Sequence, residues 1–110
     1  MIELRGYIDE KGKKRFADWF ESLDPSAAAK VTIALTCMEQ GNFSNAKGVG
    51  SGVYEYKIDF GPGYRIYFGR DGDTLVILLG GGTKKRQNKD IQDALACWAD
   101  YKRRNKKETS

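Results

Sequence analysis

No histidine occurs among the 110 residues, which removes the Ser-His-Asp triad, an imidazole general base and any His-ligated zinc site from the possible chemistries. Cysteine is nearly absent as well. Cys37 and Cys97 stand 60 positions apart, in stretches with helical patterning and without CxxC spacing. They are expected to be buried free thiols, because a disulfide framework belongs to a secretory context and a catalytic cysteine ordinarily hands its proton to a histidine. No apolar run approaches the roughly 18 residues that a spanning helix needs. The segment Met1-Ile2-Glu3-Leu4-Arg5 also lacks the apolar stretch of a signal peptide. The expectation is a cytoplasmic protein that uses no membrane, no metal and no cofactor.

What is present suffices for a core. Hydrophobic residues make up 40% of the chain, 13 positions are aromatic, and the net charge is +4 with a pI near 9.1. Wholesale disorder is excluded, and the length fits one domain spanning 1–110 rather than a two-domain enzyme. The charge is uneven, since Lys84 to Lys107 holds nine basic and three acidic residues. A polyanion or an acidic partner is the natural complement of such an end.

The apolar spacing changes period along the chain. Phe16, Trp19, Phe20 and Leu23 recur at i, i+3, i+4, i+7 and predict a helix over Lys13 to Ser22. Asp24-Pro25-Ser26 then offers an N-cap and a first-turn proline, and Ala27, Val31, Ala34, Leu35 and Met38 continue one face until Gly41. The two form a helical hairpin. Asn42 to Gly52, rich in Gly, Asn and Ser, is expected to be a loop. After Gly52 the period becomes 2: Tyr54, Tyr56, Ile58 and Phe60 alternate with charged residues, as do Tyr64, Ile66 and Phe68 before the Asp71-Gly72 turn. Leu75 to Leu79 is an unbroken aliphatic strand of the kind covered on both faces, ended by Gly80-Gly81-Gly82. Ile91, Ala94, Leu95, Trp98 and Tyr101 mark a C-terminal helix running into a frayed basic tail at about 102–110. With a short leading strand at Ile2 to Arg5, the class is α+β around an antiparallel meander. One core is expected to gather Tyr54, Tyr56, Ile58, Tyr64, Ile66, Phe68, Trp19 and Trp98.

The same alternation assigns Glu55, Lys57, Asp59, Arg65 and Tyr67 to the opposite, solvent-facing side. Hairpin pairing would bring the ammonium of Lys57, the guanidinium of Arg65 and the phenol of Tyr67 together, a set suited to phosphate. Lys84, Lys85 and Arg86 would rim it. A plain solvated face with Glu55–Lys57 and Asp59–Arg65 pairs accounts for the same pattern. The tail cations fit a helix C-terminus equally well, through the backbone dipole. Gly80 to Lys85 lacks the GxxxxGK[ST] spacing of a phosphate loop, which argues against nucleotide hydrolysis.

The run Gly52-Val53-Tyr54-Glu55-Tyr56-Lys57-Ile58-Asp59-Phe60-Gly61-Pro62-Gly63-Tyr64-Arg65-Ile66-Tyr67-Phe68, with Gly80-Gly81-Gly82-Thr83-Lys84-Lys85-Arg86-Gln87 and Asp90-Ile91, resembles the HigB-like addiction-module killer branch (phage Gp49-like) of the RelE/ParE toxin superfamily. The resemblance covers nearly the whole stretch from Phe16 to Trp98. It implies a RelE-like fold, an N-terminal helical hairpin on a twisted antiparallel sheet with a C-terminal helix, and a toxin neutralised by a cognate antitoxin, commonly a helix-turn-helix protein. Relatives of the RelE and HigB type cut messenger RNA on the ribosome with basic residues. By that resemblance Lys57, Arg65 and Lys84 are the candidate catalytic residues. Lys47, Tyr67, Lys85, Arg86, Lys102, Arg103 and Arg104 are the candidates for holding RNA or ribosome. Lys57 would act as base and Arg65 as a clamp on the phosphate oxygens, with Lys84 or Tyr67 serving the leaving group. The superfamily leaves two other readings open, a ParE-like poison of DNA gyrase that catalyses nothing and a non-toxic nucleic-acid-binding relative.

Overall fold

The computed structural model describes residues 1–109, with side chains up to Asn105. The elements run β1 (Glu3–Gly6), α1 (Arg15–Glu21), α2 (Pro25–Glu39), β2 (Ala46–Gly50), β3 (Val53–Ile58), β4 (Tyr64–Asp71), β5 (Leu75–Thr83), a single 3₁₀ turn (Lys84–Arg86) and α3 (Gln87–Thr109). The α2 start follows the sequence signal: the Asp24 side chain accepts from the Ala27 N–H at 2.8 Å, with Pro25 in the first turn. Gly41, at φ +83°, ends the helix as a left-handed residue.

The five strands form one mixed sheet in the order β1-β5-β4-β3-β2, in which β1 runs parallel to β5 and all other neighbours are antiparallel. Three expectations change here. The Gly-rich segment expected to be a loop contains strand β2, an edge strand whose glycines carry no period-2 signal. The leading strand makes the sheet mixed instead of a pure meander. The Gly80-Gly81-Gly82 run continues β5 to Thr83 instead of ending it. Those glycines leave room for packing: a Cβ on Gly81 would collide with the Trp19 ring, and one on Gly82 with the Asp90 carboxylate.

The expected single core is two. On one sheet face α1 and α2 bury Phe16, Val31, Ala34 and Met38 against Tyr56, Ile58, Ile66, Phe68, Val76 and Leu78, with Trp19, Tyr54 and Tyr64 packed at its margin. On the other face Ala94, Cys97 and Trp98 of α3 cover Val53, Tyr67, Ile77 and Leu79. Trp98 therefore lies across the sheet from Trp19. A bulge at Leu79, between the pairs Tyr67–Gly80 and Phe68–Leu78, breaks the β4–β5 register. Cys97 is buried and Cys37 half-buried, both as free thiols. The basic stretch expected to fray from 102 is helical as far as Thr109, and the last expected tail position, Ser110, lies outside the described residues. Among the described residues no helix is long and apolar enough to cross a membrane.

Candidate functional site

Strand register sets the candidate residues in two rows on the α3 side of the sheet. Lys47 on β2 pairs with Glu55 on β3, Glu55 with Tyr67 on β4, and Tyr67 with Gly80 on β5. One step along, Lys57 pairs with Arg65 and Arg65 with Gly82. Directly opposed residues share a face. This side of the sheet buries Glu55, Arg65 and Tyr67, while Lys47 and Lys57, at the β2 and β3 ends of the two rows, are exposed.

Arg65 departs from the sequence expectation. It is 4% exposed and Glu55 is 1% exposed, so neither belongs to a solvated face. A carboxylate and a guanidinium can share a dry site only when each meets the other's charge and their remaining polar atoms find partners. Arg65 Nε lies 3.4 Å from Glu55 Oε1, an ion-pair contact that leaves the buried Nε–H without a hydrogen-bond partner, and its Nη1 donates to the Gly63 carbonyl at 2.9 Å. The second carboxylate oxygen, Glu55 Oε2, accepts from Gln87 Nε2 at 2.7 Å. The Gly63 carbonyl also accepts from the Lys84 backbone N–H at 3.0 Å. Gly63 sits at φ +81°, which a side chain would strain, and this turn aims its carbonyl at both donors. Thus Glu55 takes Arg65 as its partner, and the Glu55–Lys57 and Asp59–Arg65 surface pairs of the alternative, plainly solvated face do not form.

Tyr67 is the second correction. Its hydroxyl is buried without a hydrogen-bond partner, and burial first, then the negative charges of Glu55 and Asp90, push its pKa well above the usual phenol range. It is a neutral phenol under the α3 covering, out of reach of a bound RNA in this arrangement. Asp90 Oδ2, packed over Gly82, is likewise buried and unpartnered; burial raises the Asp90 pKa, opposed by the charge of Arg86.

The remaining cations divide into two places. Lys84, Lys85 and Arg86, all exposed on the 3₁₀ turn, line a surface cavity of about 340 Å³ together with Gln87, Asn88 and Lys89. Lys102, Arg103 and Arg104 lie 15 or more residues further along α3, roughly 22 Å away at about 1.5 Å per residue. There Arg104 bonds Asp100 at 2.8 Å and the Ile8 carbonyl at 2.6 Å, and Arg103 also pairs with Asp100. Asp100 in turn accepts from the Tyr7 hydroxyl at 2.6 Å, and burial followed by this bond pushes the Tyr7 pKa up to about 12. The fold therefore sets Lys57 directly opposite Arg65 and Lys47 opposite Glu55, ties the Lys84 backbone to Arg65 through the Gly63 carbonyl, and holds the helix-end cations on α3 well beyond that turn. Sequence reasoning missed Glu55, Gly63, Gln87 and Asp90 as members of the site. A usable signal existed, since Gln87 and Asp90 stand in the motif that follows β5, and Glu55 sits in register with Tyr67.

Residues 18–96 match the family model described as Phage derived protein Gp49-like (DUF891). The chain is also 41% identical over 88 residues to an uncharacterized protein of Haemophilus influenzae, an alignment covering 79% of this chain and 89% of that protein.

Proposed function

From the premise that the chain belongs to the Gp49-like family, the family of RelE- and HigB-like toxins, we propose that it is the toxin of a type II toxin-antitoxin system, a ribosome-dependent messenger RNA endonuclease that stops translation in the cytoplasm. The observation that carries this reading is the set of exposed lysines beside the buried Arg65–Glu55 pair: Lys57 directly opposite Arg65, Lys47 opposite Glu55, and Lys84 on the turn after β5, whose backbone N–H shares the Gly63 carbonyl with Arg65. The layered arrangement of helical hairpin, sheet and C-terminal helix agrees with a RelE-like fold.

RNA cleavage by the adjacent ribose needs three things from a protein without histidine. The 2′-hydroxyl must lose its proton while its oxygen attacks phosphorus, the added negative charge on the phosphorane must be met, and the departing 5′-oxygen must regain a proton. In this reading Lys57 takes the first proton and Lys84 meets the phosphorane charge and serves the leaving oxygen. Arg65, nearly closed to solvent, adds positive potential from beneath and fixes the turn that carries Lys84, so its role shifts from clamp to support. Lys47, Lys85 and Arg86 hold the flanking phosphates as point charges. Such a weak acid-base set explains reliance on the ribosome, whose decoding site would align the RNA. A helix-turn-helix antitoxin would neutralise the protein by covering the lysines.

The test is induction in growing cells with RNA 5′ ends mapped across the transcriptome, beside a gyrase supercoiling assay on the purified protein. New 5′ ends within translated frames and undisturbed gyrase are expected. Inhibited gyrase without RNA cuts would replace the nuclease with a gyrase poison, and neither effect would leave a nucleic-acid-binding relative without toxicity.

A further inference from the structure

The polar contacts around Arg65 close into a ring. Glu55 Oε1 meets Arg65 Nε as an ion-pair contact at 3.4 Å without a hydrogen bond, Arg65 Nη1 donates to the Gly63 carbonyl, that carbonyl also accepts from the Lys84 N–H, the chain runs from Lys84 to Gln87, and Gln87 Nε2 donates back to Glu55 Oε2. The ring joins β3, the β3–β4 turn, β4 and the start of α3. Lys84 stands in it, and Lys57 lies two residues from Glu55 and directly opposite Arg65.

Burying this pair is not the cheapest way to hold the sheet together. Apolar residues of similar volume usually stabilise as well or better than a buried ion pair, and the neighbouring positions Val53 and Tyr67 on the same face are filled that way. A charge-bearing ring is the better solution where direction matters, since hydrogen bonds fix the angle of a turn and of a helix start as packing alone does not. Lysine stems are flexible, so where their ammonium groups gather depends on where their backbone is held.

We infer that Glu55, with Gln87, is a positioning residue of the proposed nuclease: it locks Arg65 and the Lys84 turn into one frame and so sets the separation of the Lys57 and Lys84 ammonium groups. The inference rests on the nuclease reading. Neither Glu55 nor Gln87 touches RNA in it; both act through Arg65 and Lys84.

The experiment compares wild type, Glu55→Gln, Gln87→Ala and the exchange Glu55→Gln/Gln87→Glu, which returns one carboxylate and one amide to the ring. Three readouts are taken: affinity for programmed ribosomes, single-turnover cleavage at saturating ribosomes, and hydrogen exchange of the Arg65 Nε–H by NMR. With the surface lysines intact, Glu55→Gln should bind within about threefold of wild type, while its cleavage rate falls by about 10- to 100-fold, the scale of a misplaced catalytic group. The exchange variant should recover most of the rate, and Gln87→Ala should lose both rate and Arg65 protection. A merely structural ring would lower melting temperature without that split between binding and rate. Should Glu55→Gln fail to fold, Gln87→Ala decides, because Gln87 is only half-buried at a helix start. Cleavage at the wild-type rate in whichever of the two folds, or loss of binding in step with rate, overturns the inference. A wild type that cuts nothing overturns the nuclease reading itself and leaves the NMR readout as a record of the ring alone.

Discussion

Replacing Gly69 with alanine tests the docking of α3 on the second face of the sheet. Gly69 lies in β4 with the Trp98 ring directly above it: a Cβ there would stand 2.5 Å from Trp98 Cε3 and 2.6 Å from Cδ2 and Cζ3. Carbon atoms in contact rest at about 3.5–4.0 Å, so the ring would have to withdraw by about 1 Å. It has little freedom to do so. Trp98 is 5% exposed, Tyr101 stacks on it with ring centroids 5.3 Å apart and planes 7° from parallel, and Gly52 closes on its Nε1. Overpacking of this kind costs about 1–3 kcal/mol, and at roughly 4 °C per kcal/mol for a chain of this size the melting temperature should fall by about 4–12 °C. Trp98→Ala alone should cost about 3–5 kcal/mol. In that background the added methyl has nothing to strike, and Gly69→Ala should become neutral or mildly stabilising, because glycine weakens a strand interior. Urea unfolding of the four proteins, followed by circular dichroism, closes the double-mutant cycle. An unaffected Gly69→Ala, or the same loss with and without Trp98, would refute the docking of α3 described above.

Three other outcomes follow from the site. Arg65→Ala should destabilise by about 3–5 kcal/mol in thermal or urea unfolding, because it strands the buried Glu55 carboxylate; a loss under about 1 kcal/mol would place Arg65 at the surface after all. Asp90 and Asp100 should act oppositely on stability against pH. Burial raises the Asp90 pKa, so its charge costs stability at neutral pH and that cost fades as pH falls toward the ordinary aspartate value; the Tyr7 hydrogen bond lowers the Asp100 pKa despite some burial, so its contribution holds at neutral pH and is lost as pH falls below that value. Asp90→Asn should therefore melt higher than wild type at neutral pH and Asp100→Asn lower, and the reverse order in calorimetry would contradict both assignments. Ribosome or RNA affinity should weaken steeply with salt, and each of Lys47→Ala, Lys57→Ala and Lys84→Ala should reduce the slope of log affinity against log salt by about 1; unchanged slopes would remove these lysines from the interface.

Much of the hairpin face was legible, because Tyr54, Tyr56, Ile58, Ile66 and Phe68 alternate strictly and the α1 and α2 stripes keep helical spacing. The second face was misread at Glu55 and Arg65, since charge at alternating positions looks like solvent contact until the partner is known. The correction was partly available from Leu75 to Leu79. A strand apolar on both sides requires a cover on both faces, and with α1 and α2 committed to one, only the C-terminal helix could supply the other. Tyr67 and Gly69, the uncharged positions between Arg65 and Asp71 on that face of β4, point the same way. Strand β2 was hidden because Ala46, Gly48 and Gly50 carry too little side chain to show a period. The juxtaposition of Gly63, Lys84 and Gln87 depends on how far β5 extends, and its three glycines had suggested an end.

The central claim is that the exposed Lys57 and Lys84 beside the buried Arg65 perform chemistry on RNA. The direct measurement is single-turnover cleavage of messenger RNA on purified programmed ribosomes by wild type, Lys57→Ala and Lys84→Ala, each shown to melt as wild type does. Both lysines are exposed, so substitution should leave stability within about 0.5 kcal/mol. The wild type is expected to cut within the decoding site, and each variant to cut about 100- to 1,000-fold more slowly while still binding ribosomes. Wild-type rates in both folded variants would contradict the site, and a folded wild type that binds ribosomes yet never cuts would contradict the nuclease.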